Sequence, residues 1–140
     1  MAPRFSVVIP ARNDAAALGR TLDYLGGLAG IGETEVIVAA AGDPEGTERA
    51  VAGRARLLWP EGSTRAALMN AGAAVARGDV LFFLHADSFP PVNAFALIDH
   101  SLSDARVVGG ASESASSGSR AARRMIAWYS ASRPAAFPRS

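Results

Sequence analysis

The chain has 140 residues, of which 49% are hydrophobic and 19% charged, a size and composition typical of one globular domain rather than a disordered or multidomain protein. It has no cysteine, which excludes disulfides, thiolate catalysis and sulfur-ligated metals, and all 14 basic residues are arginine, which excludes lysine chemistry. The start lacks the regions of a secretory signal, and no apolar run approaches the roughly 20 residues of a membrane-spanning helix. We therefore expect no membrane span and a cytoplasmic location.

The first half of the chain alternates strand and helix patterns. Residues 5–9 (FSVVI) form a continuous β-branched apolar run, which predicts a buried strand of a parallel sheet. Asn13 and Asp14 can cap a helix over residues 14–26, whose leucines recur at helical spacing. A second strand is predicted over residues 35–40 (EVIVAA), then a helix that Thr47 begins and that ends near residue 53, then a short strand over residues 56–59.

The second half continues this alternation. Ser63 or Thr64 opens an alanine-rich helix that runs to Arg77, and Gly78 stands where a left-handed C-terminal cap is favoured. Residues 79–84 (DVLFFL) give the strongest strand signal. Pro90 and Pro91 fit the first turn of a helix to about residue 103, and Val107 and Val108 begin a fifth strand.

This order of elements predicts an α/β fold, a doubly wound and mostly parallel sheet with helices on both faces. We expect the domain to span residues 1–110, and residues 111–140 to form a basic, low-complexity tail that is partly disordered. Residues 1–111 carry 12 acidic residues against 9 arginines, whereas residues 112–140 carry 5 arginines and 1 acid. No nucleic-acid partner is expected, because such a partner would require a basic stripe on the folded body.

Ligands of such sheets bind beyond the carboxyl ends of the strands, so the residues after the first strand form one candidate site. Pro10, Ala11, Arg12, Asn13 and Asp14 lead into a helix N-terminus, which favours an anion such as phosphate. The chain lacks G-x-G-x-x-G and the P-loop pattern, which excludes ordinary dinucleotide and P-loop sites. The structural alternative is that Asn13 and Asp14 only cap the helix.

Two further groups could complete this site. His85 and Asp87 follow the strongest strand two residues apart, so both side chains can face one cleft, where Asp87 would suit Mg²⁺ or Mn²⁺ and His85 would tolerate Mn²⁺. Arg65, in the first turn of a helix, can reach a phosphate bidentately, and Asn70 and Gly72 would let that helix pack closely over a strand. The alternatives are a strand-end acid that caps the next helix, a histidine in a polar turn and a surface arginine.

These segments occur in the order V-V-I-P-A-R-N-D, E-V-I-V-x-x-x-G-x-x-x-G-T, R-A-A-L-M-N-A-G and G-D-V-L-F-F-L-H-A-D. The series resembles the family 2 glycosyltransferases of the GT-A fold, and in particular their radical-SAM/selenodomain-associated branch, in which F-L-H-A-D replaces the usual Asp-x-Asp motif. The resemblance implies a transferase that takes a sugar from a nucleotide-sugar donor and passes it to an acceptor, which the sequence does not identify.

The resemblance also implies which residues bind the donor. The metal, Mn²⁺ or Mg²⁺, would bridge the diphosphate to Asp87, with His85 in the first position of the Asp-x-Asp motif. No catalytic base is implied. The nucleotide-binding residues would be Pro10, Ala11, Arg12, Asn13, Asp14, Arg65, Asn70, His85 and Ala86.

Two departures from the family pattern keep an alternative function open. The family usually places an acid at the end of the second strand to hold the base or ribose, whereas this chain has Ala39, Ala40 and Ala41 there, with Asp43 later. Members are also longer, with a second half that carries the acceptor site and a general base. The alternative is a non-catalytic nucleotide-binding module that keeps the GT-A fold, and an unrelated α/β interaction domain is a third hypothesis. A sheet that lacks the covering second half is expected to self-associate.

Overall fold

The computed structural model describes residues 3–28, 31–86, 89–102 and 124–127. Strands and helices alternate along these residues, as the sequence predicts, with a short 3₁₀ turn at Ile31–Glu33. The elements are β1 (Phe5–Arg12), α1 (Ala15–Leu25), β2 (Thr34–Ala41), α2 (Pro44–Val51), β3 (Arg56–Leu58), α3 (Arg65–Val75), β4 (Val80–Phe83), α4 (Ala94–Leu102) and β5 (Arg124–Ala127).

The strands form one sheet in the order β3-β2-β1-β4-β5, and every neighbouring pair is parallel. β1 lies in the middle, paired with β2 from Phe5 opposite Thr34 to Arg12 opposite Ala41, and with β4 on its other side. Its central place explains why its first five residues are all buried, since a strand covered on both faces cannot alternate apolar and polar residues.

Helices cover both faces of the sheet. On one face, Leu18 of α1, Val51 of α2 and Phe95 of α4 pack against Ile9 and Phe82 of the central strands. On the other face, α3 packs through Met69, Ala73 and Val75 against Val8, Ile37, Leu81 and Phe83. The predicted doubly wound parallel fold is therefore confirmed.

Several predicted element boundaries are wrong, each for a local reason. Thr47 does not begin α2: the helix starts at Pro44, and the Asp43 carboxylate accepts a hydrogen bond of 3.1 Å from the Gly46 N–H, while Thr47 is buried inside the helix. The Asp-Pro pair combines a good cap with the residue that best suits the first helical position. Pro90 and Pro91 likewise precede α4 instead of opening it.

The prediction for Gly78 is also wrong. α3 ends at Val75, and Gly78 is absent from the described glycines with positive φ, so it is not a left-handed cap. Its N–H instead donates to the Ser6 hydroxyl at 2.8 Å, and a Cβ at this position would lie 2.7 Å from the carbonyl carbon of Phe5. Gly78 is needed because the chain passes too close to β1 for a side chain.

The carboxylate of Glu35 connects β2 to β1 and to the segment before β4, at the end of the sheet where the strands begin. It accepts hydrogen bonds of 2.5 Å from the Ser6 hydroxyl and from the Arg77 N–H, and it lies 3.5 Å from the Arg77 guanidinium. Burial raises the pKa of Glu35, but the two hydrogen bonds and the nearby cation outweigh burial, so the net pKa is lowered from 4.5. These charges border a cavity of about 570 Å³ at this end of the sheet.

Within the predicted tail, Arg124–Ala127 form β5 beside β4. The predicted strand at Val107 and Val108 lies outside the described residues, and the domain boundary at residue 110 stays a prediction. Among the described helices, none combines the length and the apolar character that crossing a bilayer requires.

Candidate functional site

A cavity of about 330 Å³ opens where β1 and β4 end and α3 begins. After β3 the chain crosses to the other side of β1 to form β4. The strand order therefore reverses between β1 and β4. This reversal is where open parallel sheets form their ligand-binding crevices. The lining residues are Pro10, Arg12, Asp14, Ser63, Arg65, Leu68, His85 and Ala86.

Two arginines give the cavity its positive charge. Arg12, the last residue of β1, donates from Nη1 to the Ser63 carbonyl at 3.4 Å. Arg65, the first residue of α3, follows Thr64, whose hydroxyl accepts from the Ala67 N–H at 3.1 Å and so fixes the start of the helix. Across the described residues, neither guanidinium is in an ion pair with a carboxylate. Both guanidiniums therefore border the cavity without a carboxylate partner in the part of the chain that the structure describes.

His85 orients Arg65. The Nε2 atom of His85 lies 3.1 Å from Nη1 of Arg65, and because a guanidinium can only donate, Nε2 must accept the hydrogen bond. A neutral imidazole that accepts at Nε2 carries its proton on Nδ1. In this arrangement the Nε2 lone pair is engaged by Arg65, and the role of His85 as a metal ligand stays a prediction.

The side chains of Asp14 and Asn13 lie in different places, although the two residues are neighbours. Asp14 occupies the N-cap position of α1, yet its carboxylate makes no capping hydrogen bond, and it lines the cavity. The interpretation that Asp14 only caps the helix is therefore wrong for its side chain. Asn13 caps nothing either: its Oδ1 accepts from the backbone N–H of Asp43 at 3.1 Å.

The structure brings together six of the predicted nucleotide-binding residues and leaves three away from the cavity. Ala11 is 2% exposed and belongs to the core, because β1 turns alternate side chains to opposite faces. Asn70 is exposed on α3, two residues from the buried Leu68, and lines no part of the cavity. Asn13 faces the turn after β2. The six at the cavity are Pro10, Arg12, Asp14, Arg65, His85 and Ala86.

The predicted metal ligand Asp87 lies outside the described residues, so its role stays a prediction. Within the described ranges, no three histidine or acidic side chains come together as a metal site. Asp14 is a hard oxygen donor at the cavity, and His85 is engaged by Arg65. A divalent cation fits this donor set only if Asp87 and the oxygens of a bound phosphate supply most of its ligands.

Helix α1 holds the backbone on both sides of Asp87. The fully buried Thr21 hydroxyl donates to the carbonyl of Ala86, and the Tyr24 hydroxyl donates to that of Pro90. The Tyr24 ring also meets Phe89 edge to face at 5.3 Å. Sequence reasoning missed both residues, although Thr21 is a polar residue on the apolar face of α1 and so carried a signal.

Comparison with known proteins identifies the family. The model of Glycosyl transferase family 2 matches residues 6–137. The chain belongs to this family. The match continues past residue 110 into the predicted tail. It confirms the predicted membership of glycosyltransferase family 2.

The crystal structure of S. aureus TarS is similar in fold, with a TM-score of 0.61 and 15% sequence identity. The similarity covers 81% of this chain but 23% of that chain, so this chain spans under a quarter of its length. At this identity the similarity shows the fold alone, and it agrees with the predicted GT-A architecture. No curated protein matches the sequence.

Proposed function

We propose that this chain is the donor-binding part of a family 2 glycosyltransferase, and that the cavity between β1, β4 and α3 binds the diphosphate of a nucleotide sugar. The observation that carries the proposal is the pair Arg12 and Arg65, two cations at the switch point of the sheet that have no carboxylate partner in the described part of the chain. The F-L-H-A-D segment supports membership of the radical-SAM/selenodomain-associated branch.

The geometry suggests how these residues would assist the reaction. As the bond from the sugar to the diphosphate breaks, negative charge develops on the leaving diphosphate, and fixed cations stabilise that charge. Arg65 is held in place by His85 and by the start of α3, so it loses little freedom when it binds. Asp87, with phosphate oxygens, would hold Mn²⁺ or Mg²⁺, which when bound neutralises the leaving group. A cytoplasmic location and self-association stay predictions.

Titration calorimetry with UDP and GDP, each with Mn²⁺, with Mg²⁺ and with a chelator, tests the proposal. Arg65→Ala should weaken binding about tenfold or more, because a hydrogen bond to a charged group contributes about 1.5–3 kcal/mol. Arg49→Ala is the matched control, since Arg49 is exposed on α2 and does not line the cavity. Equal loss in both variants, or no loss in Arg65→Ala, would contradict the proposed site.

The same titrations test the metal. Nucleotide and Mn²⁺ should each bind more tightly when the other is present, because the phosphates complete the oxygen shell of the cation. Asp87→Ala should abolish this coupling and leave the thermal midpoint almost unchanged. Coupling that survives the substitution would show that Asp87 does not hold the metal, and a large fall in the midpoint would show that Asp87 is a structural residue.

A second candidate function is a non-catalytic nucleotide-binding module. It is favoured by Ala41 at the end of β2 and by the carboxylate of Asp43, which caps α2 instead of facing the cavity. Incubation with UDP-sugars and GDP-sugars distinguishes the two functions. Release of the nucleoside diphosphate with Mn²⁺ supports a transferase, whereas nucleotide binding with no release supports the module.

A further inference from the structure

The side chain of Asn13 joins the turns that follow β1 and β2. Its backbone N–H donates to the Ala41 carbonyl at 3.1 Å, which extends the β1–β2 pairing by one residue. Its Oδ1 then accepts from the backbone N–H of Asp43 at 3.1 Å. Asp43 in turn caps α2 through its carboxylate. Asn13 therefore connects the end of β1 to the start of α2.

The backbone of Asn13 is left-handed, with φ of 54°, one of two described non-glycine residues with positive φ. Asparagine tolerates this conformation better than most residues, because its short amide can hydrogen-bond locally. Arg12 and Asp14, on either side of Asn13, both line the cavity. The bend at Asn13 therefore lets Arg12 and Asp14, in the same turn, face the same cavity.

Gly42 leaves room for the Asn13 amide. Its φ is 90°, and a Cβ there would overlap the Oδ1, Cγ and Nδ2 atoms of Asn13. The turn after β2 thus wraps around the amide group so closely that only glycine fits at this position.

We propose that Asn13 is a positioning residue and not a nucleotide contact: its amide, seated against Gly42 and bonded to Asp43, fixes the turn that presents Arg12 and Asp14 to the ligand. This proposal rests on the proposed nucleotide-binding function. It replaces the nucleotide contact predicted for Asn13 from the sequence, because the Oδ1 atom of Asn13 accepts a hydrogen bond from the neighbouring turn.

Asn13→Gly is the direct test, since glycine keeps the left-handed backbone and removes only the amide. Binding of UDP or GDP, whichever the unaltered chain prefers, should weaken about fivefold, the effect of one neutral hydrogen bond of about 1 kcal/mol. Amide hydrogen exchange measured by NMR should quicken at Asp43, because that N–H loses its acceptor.

Gly42→Ala supplies the second arm. It should also weaken nucleotide binding, and its effect should be smaller when Asn13 is already glycine, because the overlap then has no amide to displace. Gly53→Ala is the matched control: Gly53 has φ of 77°, and nothing lies within 4 Å of the position of its Cβ. That variant carries similar backbone strain and should leave affinity unchanged.

The outcomes separate this proposal from the proposed function. If Asn13→Gly speeds exchange at Asp43 but leaves nucleotide affinity unchanged, the hydrogen bond from Asp43 to Asn13 is purely structural. If the variant weakens nucleotide binding but leaves exchange unchanged, Asn13 contacts the nucleotide directly. Either outcome overturns the proposal. Additive effects of the Asn13 and Gly42 substitutions on affinity would overturn it as well. If the unaltered chain binds neither nucleotide, both the proposed function and the role of Asn13 in binding fail. Exchange at Asp43 in Asn13→Gly then still shows whether the hydrogen bond between Asn13 and Asp43 forms.

Discussion

Arginines at the two ends of the parallel strands differ in whether a carboxylate neutralises them. Arg4 and Arg77, at the amino-terminal end, pair with Asp99 and Glu35, and Arg54 pairs with Asp23. Arg12 and Arg65, at the carboxyl-terminal end, donate to a carbonyl and an imidazole instead. Paired cations contribute little field at a distance, whereas Arg12 and Arg65 bring two cations to the cavity beside the carboxylate of Asp14.

The residue Glu35 should make stability depend on pH in the acid range. Its pKa in the folded chain is lowered from 4.5, so its contribution is fully present above the pKa of the unfolded chain and is lost as the pH falls through the lower folded value. Urea unfolding at a series of pH values above and below 4.5 measures this loss.

Glu35→Gln is the control for that measurement. Glutamine keeps an acceptor for Ser6 and for the Arg77 N–H but carries no charge. The difference in unfolding free energy between the unaltered chain and this variant should therefore shrink as the pH falls. A difference that stays constant across the series would show that the charge of Glu35 does not stabilise the fold.

At the residue scale, the sequence predicted which side chains approach the cavity better than what each does there. Arg12, Asp14, Arg65 and His85 were identifiable, because strand ends and the first turn of a helix locate them. Asn13 was not separable from Asp14 in the sequence, since both are good helix caps. Which amide oxygen meets which N–H depends on the turn after β2, a contact between residues 30 positions apart.

Helices α1 and α3 each contain one glycine, and the same substitution should have opposite effects in the two. A Cβ at Gly19 of α1 would lie 3.7 Å from the Cβ of Ala50, an ordinary contact, so Gly19→Ala should stabilise the chain by about 0.5–1 kcal/mol through helix propensity. A Cβ at Gly72 of α3 would overlap a methyl group of the fully buried Val8. Gly72→Ala should therefore destabilise the chain by about 1–3 kcal/mol.

Chemical denaturation of both variants measures these changes. A stabilising Gly72→Ala would contradict the close packing of α3 on β1, which the small residues of that helix predicted from the sequence. A destabilising Gly19→Ala would show that the contact between α1 and α2 is tighter than 3.7 Å.

Elements were predictable where one pattern dominated. Apolar runs predicted β1, β2 and β4, and the spacing of leucines predicted α1. Each of these segments buries a continuous set of apolar side chains, which leaves a clear pattern in the sequence. Boundaries failed where two local signals competed, as with Asp43 and Thr47 for the start of α2. The prediction for Gly78 was wrong for another reason. The sequence suggested that this position needs a positive φ, whereas in the structure the position has no room for a side chain beside Phe5 and Ser6.

One edge of the sheet is formed by β5, a strand within the segment that the sequence analysis assigned to the tail. β5 pairs with all four residues of β4, from Val80 opposite Arg124 to Phe83 opposite Ala127. A chain that ends at residue 110 should therefore be less stable and more prone to associate, because it leaves the backbone groups of β4 unpaired along one edge. Urea unfolding and light scattering measure both effects.

A chain that ends at residue 132 serves as the control, because it is also shortened but keeps β5. If the chain that ends at residue 110 matched the full chain in both measurements, the predicted domain boundary at residue 110 would hold. If both shortened chains lost stability equally, residues after 132 would be responsible instead of β5.

The central place of β1 in the sheet has a consequence for synthesis. β1 is made before the other described strands and can pair with β2 once residue 41 has left the ribosome, yet its other edge waits for β4 at residues 80–83. Between these points the nascent chain carries its central, largely buried strand with one edge unpaired, the state most open to wrong association. Slow translation between residues 41 and 80 should therefore increase the demand for chaperones, and slow translation after residue 83 should increase it less.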